Sequence, residues 1–135
     1  MRHKTGLLDT SAVLRMGELE PADLPDEVVI CAVTLAEFSV GPLVAANEQE
    51  RAARLAQVQQ AEADLGDPLP FDAAAARAFA QVAADIRRAG SKPKARAFDA
   101  LIAATAKAAG LPLFTFNPRD FAAVTGIEVV PLPPQ

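Results

Sequence analysis

The sequence predicts an α/β fold in which helices cover both faces of a mostly parallel sheet. Short apolar segments that read as strands alternate with longer segments of helical periodicity. Hydrophobic residues make up 51% of the chain and charged residues 22%, a composition that excludes a disordered protein. The 135 residues are enough to bury one core, so we expect a single domain over residues 1–135.

Strands and helices alternate in the order that this fold requires. The predicted strands lie at residues 6–9, 28–32, 113–116 and 127–130, with a short extended piece at 69–71. The predicted helices lie at about 10–16, 34–41, 48–64, 73–88 and 96–109, with a turn and short helix at 117–121. The expected helix caps are Thr10 or Ser11, Thr34 and Asp72 at N-termini and Gly110 at the end of the helix over 96–109.

Three isolated acids stand in apolar segments and are the main functional signal. Asp9 is the only charge in residues 5–14, Glu37 the only charge in residues 28–47, and Asp99 lies alone between Arg96 and Lys107. The apolar face predicted for the helix of Asp99 is formed by Phe98, Leu101, Ile102, Thr105 and Ala109. Asp99 flanks that face, where an acid needs a partner.

The fold class predicts that these acids converge. In a parallel sheet the functional crevice lies at the carboxyl ends of the strands, where Asp9 and the helix carrying Glu37 are expected. Two carboxylates about 4 Å apart repel by roughly 1 kcal/mol in water and about 4 kcal/mol at an effective dielectric of 20. A divalent cation such as Mg²⁺ or Mn²⁺ neutralises such a cluster and serves phosphoryl chemistry. The structural alternatives are a helix cap for Asp9 and a weak, exposed ion pair with Arg96 for Asp99.

Composition excludes several other classes of protein. The chain has one histidine, His3, and one cysteine, Cys31, so a histidine-based hydrolase, an internal disulfide and a thiolate zinc cluster are not expected. No apolar run approaches membrane-spanning length, and Asp9 interrupts the apolar stretch near the N-terminus, which argues against a signal peptide. A cytoplasmic location fits these observations.

Basic residues concentrate in one segment although the net charge is −4, the wrong sign for general nucleic-acid binding. Residues 87–96 contain no acid and carry the bases Arg87, Arg88, Lys92, Lys94 and Arg96. This segment is either a solvated helix end and loop or, because it precedes Asp99, an RNA-facing surface.

Four sequence blocks carry a family resemblance. LLDTS (7–11), TLAEF (34–38), RAFDALIAATA (96–106) and TFNPRDF (115–121) resemble, in order and spacing, the signature blocks of PIN-domain ribonucleases, especially the VapC-type toxins of bacterial toxin–antitoxin systems. The resemblance implies a PIN-like three-layer α/β/α sandwich and Mg²⁺- or Mn²⁺-dependent endonucleolytic cleavage of RNA by a metal-activated water. It also implies a homodimer and a small VapB-type antitoxin, for which the Leu55/Val58 face offers an apolar seam.

The resemblance assigns roles residue by residue. Asp9 and Asp99 correspond to the principal metal ligands, and Glu37 completes the site directly or through water. Thr10 or Ser11, together with Thr115, would orient the ligands or the scissile phosphate.

The fourth block departs from the family pattern. Many relatives carry an acid two residues after the threonine, where this chain has Asn117. Asp120 is the candidate for the fourth carboxylate, with support of a short helix as its structural alternative.

Three other functions compete with this interpretation. A receiver domain would need paired acids after the first strand, and a haloacid-dehalogenase-type phosphatase would need a second Asp where Ser11 stands. The third is a non-catalytic PIN-like module that binds RNA or a protein. It would be indicated by loss of a signature acid, and Asp9, Glu37 and Asp99 are all present.

Overall fold

The computed structural model describes residues 3–92 and 96–133. Its strands are β1 (Thr5–Leu8), β2 (Glu27–Val29), β3 (Leu113–Thr115) and β4 (Val129–Pro131). Its α-helices are α1 (Thr10–Leu14), α2 (Ala32–Val40), α3 (Glu48–Leu65), α4 (Ala73–Arg88) and α5 (Ala97–Ala109). Short 3-10 helices cover Met16–Glu18, Pro21–Asp23, Gly41–Val44 and Pro118–Phe121. In the part of the chain described, no helix is long and apolar enough to span a bilayer.

The sheet is parallel throughout, with strand order β2-β1-β3-β4. Leu7 of β1 aligns with Val29 on one side and with Leu113 on the other. β1 and β3 are therefore the central pair. The predicted mostly parallel sheet is confirmed.

Helices cover both faces of this sheet. Successive side chains of a strand point to opposite faces, so each face carries its own apolar cluster. The cluster on the face of α4 and α5 includes Leu7, Val82, Ile102 and Leu113. The cluster on the face of α1 and α3 includes Leu8, Val13, Val58 and Phe114. Helix α2 contributes Val33 to the first cluster and Phe38 to the second. The chain thus forms the predicted α/β/α sandwich.

Two of the predicted helix caps are correct and two are wrong. Asp72 accepts a 3.0 Å hydrogen bond from the Ala75 amide at the start of α4, and Gly110 ends α5 with φ +67°. The cap of α1 is Asp9 rather than Thr10 or Ser11.

The predicted cap Thr34 is fully buried inside α2, because the helix begins at Ala32, two residues before Thr34. Cys31 occupies the N-cap position without a side-chain hydrogen bond. It is buried, as predicted, and pairs with Leu69 in an isolated parallel bridge, so the predicted strand over 28–32 is divided.

The apolar face predicted for α5 is wrong at both ends. Phe98 is 47% exposed and Ala109 is also exposed, whereas Ile102 and Thr105 are buried as predicted. The side chains that face the interior besides these are small: Ala100, Ala103, Ala104 and Ala106. Their size permits close packing of α5, a consequence that a count of large apolar residues does not capture.

Candidate metal and catalytic site

Asp9 and Thr115 lie at the carboxyl ends of the two central strands. Asp9 follows β1 directly, and Thr115 is the last residue of β3. The Asp9 amide donates a 3.1 Å hydrogen bond to the Phe114 carbonyl, so the two strand ends are joined by backbone as well. This is the edge at which parallel α/β folds place their functional groups.

Both carboxylate oxygens of Asp9 accept hydrogen bonds. Oδ1 accepts from the Ser11 hydroxyl at 2.7 Å and from the Ala12 amide at 2.9 Å, and Oδ2 accepts from the Thr115 hydroxyl at 2.5 Å. Burial raises the pKa of Asp9, and these three hydrogen bonds oppose that rise, while the charge of Asp120 adds to it. A carboxylate has about four acceptor positions, so Oδ2 keeps one for a further ligand.

The two hydroxyls that hold Asp9 are themselves oriented by the backbone. The Phe116 amide donates to Ser11 Oγ at 3.1 Å, and the Asn117 amide donates to Thr115 Oγ1 at 2.9 Å. Each hydroxyl has only one hydrogen to give. Because the amides occupy their acceptor positions, Ser11 and Thr115 direct that hydrogen to Asp9.

Glu37 enters the site from the middle of α2. Thr10, the first residue of α1, donates a 2.5 Å hydrogen bond from Oγ1 to Oε1 of Glu37. Thr10 and Glu37 both line a groove of about 340 Å³, together with Leu14, Phe38 and Arg54. The hydrogen bond fixes one oxygen of Glu37 beside this groove.

Asp99 lies in the first turn of α5 and is half-buried. Burial is the largest cause that raises the pKa of Asp99 to about 6, and the charges of Asp120, Glu37 and Asp9 raise it further. Arg96 acts in the opposite direction. The charges of three other carboxylates therefore act on Asp99. The predicted joint metal site of Asp9, Glu37 and Asp99 stays a prediction.

Asp120 reaches the site from the 3-10 helix Pro118–Phe121. Its Oδ1 lies 2.7 Å from Nη1 of Arg96, and the same nitrogen lies 3.9 Å from Oδ2 of Asp99. The alternative pairing of Asp99 with Arg96 is thus present as a long contact. Asn117 is exposed, and its backbone amide binds Thr115.

The carboxylate oxygens of the site are ligands that suit a hard divalent cation, although the described side chains do not form a complete binding site as they stand. Among residues 3–92 and 96–133, no three Asp, Glu, His or Cys side chains are grouped so as to hold one ion as they stand. Mg²⁺ needs only one or two carboxylates, because it retains several waters and binds substrate phosphates. Asp9 retains an acceptor position, and the mutual repulsion around Asp99 would be relieved by a cation.

The basic segment is distributed over different environments. Arg87 and Lys92 are exposed, Arg88 binds Asp85 at 3.2 Å, and Arg96 binds acids of the site. Lys94 lies outside the described residues.

Arg119 lies beside the predicted site residue Asp120 but was not among the residues predicted from the sequence. It lines a groove of about 320 Å³ with Arg96, Asp120 and Ser91. Its position directly before Asp120 in the fourth block is the signal that could have identified it.

Comparison with known proteins gives consistent relatives. A family model described as PIN domain matches residues 7–127. Ribonuclease VapC5 of Mycobacterium tuberculosis (strain ATCC 25618 / H37Rv) is 39% identical over 128 residues, covering 93% of this chain and 91% of the relative. Ribonuclease VapC8 from the same strain is 37% identical over 103 residues, covering 76% of this chain and 90% of the relative.

Solved structures agree with these relatives. VapBC-5 from Mycobacterium tuberculosis, a member of the VapBC family of toxin–antitoxin systems, superposes with a TM-score of 0.81 at 38% identity, over 95% of this chain and 98% of that one. The DNA-bound VapBC from Salmonella typhimurium superposes with a TM-score of 0.73 at 26% identity, over 95% of this chain and 97% of that one. With the family model and these relatives covering most of the chain, the protein belongs to the PIN domain family, among the VapC proteins.

Proposed function

We propose that this protein is a Mg²⁺- or Mn²⁺-dependent endoribonuclease and the toxin of a type II toxin–antitoxin system. The observation that carries the proposal is the placement of Asp9 at the end of β1, with both carboxylate oxygens held by hydroxyl donors, beside Asp99 and Asp120, which share Arg96. Burial raises the pKa of Asp99, and the charges of Asp120, Glu37 and Asp9 raise it further. Perturbed carboxylates in a cleft are typical of functional sites. The names of the VapC relatives, which are ribonucleases, support RNA as the substrate.

Each acid has a distinct part in this proposal. Asp9 and Asp99 would bind the ion directly, and Glu37 would bind it directly or through water. Asp120 is the fourth carboxylate, because its charge acts on Asp9 and Asp99 whereas Asn117 is neutral and exposed. When bound, the ion neutralises charge on the scissile phosphate and lowers the pKa of its water.

The hydroxyl groups prepare the carboxylates for this task. Ser11 and Thr115 hold both oxygens of Asp9, and Thr10 holds one oxygen of Glu37, so neither acid must be ordered when substrate binds. Asp99 is mainly ionised at pH 7 because its pKa of about 6 lies below that pH. It becomes protonated, and a poorer ligand, in more acidic solution.

The test is cleavage of a single-stranded RNA by the purified protein. Activity should require Mg²⁺ or Mn²⁺ and disappear with EDTA, and Asp9→Asn and Asp99→Asn should each lower it by several orders of magnitude. Asp85→Asn is the matched control, since Asp85 is also buried but binds Thr125 and Arg88 instead of the site. Full cleavage by Asp9→Asn or Asp99→Asn, free of contaminating nuclease, would overturn the roles assigned to these acids, whereas no cleavage by wild type with either metal would favour the alternative, a non-catalytic PIN-like module.

The RNA path in this proposal runs along the basic side of the site. Arg119, Arg87 and Lys92 are exposed, and Arg119 lines the groove that contains Asp120. Each phosphate contact on a single strand contributes about 0.7 to the slope of log affinity against log salt. Neutralising all three should reduce that slope, and an unchanged slope would return them to solvated surface charges.

A VapB-type antitoxin and a homodimer complete the proposal. The similar structure from Mycobacterium tuberculosis is described as a member of the VapBC family of toxin–antitoxin systems, which supports such a partner. The predicted Leu55/Val58 seam for a partner is wrong, because Val58 is buried in the core and only Leu55, at 45% exposure, is accessible. Among the described residues, the large apolar side chains that are exposed and so remain for a partner are Leu14, Val40, Leu43, Val44, Leu55 and Phe98.

Partnership can be tested in a host that lacks the antitoxin. Expression should arrest growth, and co-expression of a basic small protein encoded beside the gene should restore it, since the site is acidic. Light scattering should give a dimer mass. A harmless, strictly monomeric protein that is folded and binds metal would contradict the toxin assignment. A cytoplasmic location, where the RNA targets are, belongs to the same proposal.

A further inference from the structure

One arginine is built into the carboxylate site. Of the Lys and Arg side chains in the described residues, Arg96 alone forms an ion pair with any of Asp9, Glu37, Asp99 and Asp120. Its guanidinium lies 2.7 Å from Asp120 and 3.9 Å from Asp99, so one cation serves two acids from different elements. The contact between Arg96 and Asp120 joins positions 24 residues apart.

The position of Arg96 allows its side chain to leave this contact. It precedes α5 as the N-cap residue, makes no capping hydrogen bond with its side chain, and that side chain is 44% exposed. It also lines the groove of about 320 Å³ beside Asp120, which gives a displaced guanidinium space in solvent. Arg96 therefore forms ion pairs with the acids, and its side chain has room to move away from them.

A divalent ion at the same carboxylates must compete with this arginine. The oxygen of Asp120 that binds Arg96 is engaged with a donor, and a dication close to a guanidinium is repelled by it. We infer that Arg96 is the resident counter-cation of the carboxylate site and that it sets the affinity for divalent metal by competing for Asp120 and Asp99. This inference rests on the proposed metal-dependent function. It makes Arg96 a positioning residue that acts through two acids.

The consequence for the protein is a metal-free site in which the repulsion among the acids is partly offset by Arg96. While Arg96 neutralises Asp120 and Asp99, the repulsion among the acids is reduced. Metal binds when the free energy gained from its contacts with the carboxylates exceeds the free energy lost with the Arg96 ion pairs. An RNA phosphate that binds the released guanidinium would favour the same change, since Arg is well suited to phosphate.

The experiment compares Arg96→Gln with Arg119→Gln in the full chain, without RNA. After EDTA treatment and dialysis, calorimetric titration measures Mn²⁺ affinity, and thermal melting is followed with and without Mn²⁺. Arg96→Gln should bind Mn²⁺ about fivefold more tightly, melt lower than wild type without metal, and recover with metal. Arg119→Gln removes the same charge from the same groove, but Arg119 forms no ion pair with another described residue, so the Mn²⁺ affinity of this variant should change by less than about twofold.

Each outcome separates this inference from the proposed function. Unchanged or weaker Mn²⁺ binding by Arg96→Gln, beside normal binding by wild type, overturns the inference and leaves the metal site intact. Equal tightening by Arg119→Gln also overturns it, because the effect would then be the general field of a removed charge. If wild type itself binds no Mn²⁺, the proposed metal dependence fails. A melting temperature of Arg96→Gln that stays low with metal would identify Arg96 as merely structural.

Discussion

The Thr115 hydroxyl donates a 2.5 Å hydrogen bond to Oδ2 of Asp9 across 106 residues of sequence. Thr115 is fully buried and Asp9 nearly so, and the bond connects the ends of the two central strands. Removing the hydroxyl while keeping the shape, as in Thr115→Val, leaves a buried carboxylate oxygen without its donor. That loss should lower the free energy of unfolding by about 1–3 kcal/mol, measured by denaturant titration. It should also lower kcat, because Asp9 is no longer held.

Thr105→Val is the matched control for this prediction. Thr105 is buried in α5, and its hydroxyl donates at 2.9 Å to the Leu101 carbonyl of its own helix, which is already part of the helical ladder. Thr105→Val should therefore cost less stability and leave the ratio of activity to folded protein unchanged. Equal losses of activity in the two variants would mean that Thr115 serves only the core.

Asp99 should make the metal-free protein less stable as the pH rises. The folded protein holds the Asp99 proton up to about pH 6, whereas the unfolded chain releases it near the ordinary value of 3.8. Between these values the folded state binds more protons, so the free energy of unfolding falls with rising pH and levels off above about pH 6. Burial and the neighbouring acids are the cause.

The variant Asp99→Asn isolates this contribution. In EDTA, its melting temperature should equal that of wild type near pH 4 and equal or exceed it at pH 7, because one repelling charge is gone. With Mn²⁺ the order should reverse: binding stabilises wild type by about 2.7 kcal/mol at a hundredfold excess over Kd, and the variant should largely lose that response. A variant that melts lower at pH 7 in EDTA and keeps its metal response would identify Asp99 as structural.

Asp120 and Asn117 can be separated by a pair of substitutions. Asp120→Asn removes a charge that acts on both Asp9 and Asp99, so it should lower the pKa of Asp99, weaken Mn²⁺ binding and lower cleavage about tenfold or more. Asn117→Ala should leave all three unchanged, since the Asn117 contact with Thr115 comes from its backbone. NMR titration of the Asp99 carboxyl measures the pKa, and loss of activity in Asn117→Ala alone would reverse the assignment.

Structural features that depend on neighbouring residues could be predicted from the sequence. The Asp72 cap and the Gly110 stop depend on residues within one turn of each other, and both agree with the structure. The predicted strand over 28–32 agrees only in part, as β2 (Glu27–Val29) and the bridge at Cys31. The convergence of Asp9, Glu37 and Asp99 was predictable for another reason. A parallel sheet brings the carboxyl ends of distant strands to one edge, so fold class alone implies proximity.

Local sequence patterns could not predict two features: which of several candidate residues caps a helix, and which residues distant in sequence form contacts. Asp9 caps α1 and also belongs to the site, so the structural and functional interpretations of this residue are compatible. The Thr10 hydroxyl is then left to donate to Glu37, and the Ser11 hydroxyl donates to Asp9 itself. The contact of Arg96 with Asp120 depends on how α5 packs beside the 3-10 helix Pro118–Phe121. No spacing rule within the sequence encodes that distance.

Asp85 is a buried acid whose role is predicted to be structural. It is 7% exposed on α4, and Oδ2 accepts hydrogen bonds of 2.9 Å from both the amide and the hydroxyl of Thr125, in the loop before β4. These bonds are the main cause that lowers the pKa of Asp85, with Arg88 contributing. The associated stability is therefore present above the ordinary value of 3.8 and is lost as the pH falls through the lower folded pKa.

Asp85→Asn tests that role against the acids of the site. An amide accepts through one oxygen only and places an NH₂ where the carboxylate had a second oxygen, so the variant should lose about 1–3 kcal/mol of stability at pH 7. The loss should shrink as the pH falls through the lowered folded pKa of Asp85, where the wild-type acid itself becomes protonated. Below its melting temperature the variant should keep the Mn²⁺-induced rise in melting temperature and RNA cleavage within about twofold of wild type. A selective loss of the metal response in Asp85→Asn would show that burial of an acid, rather than its place at the sheet edge, decides which carboxylates matter.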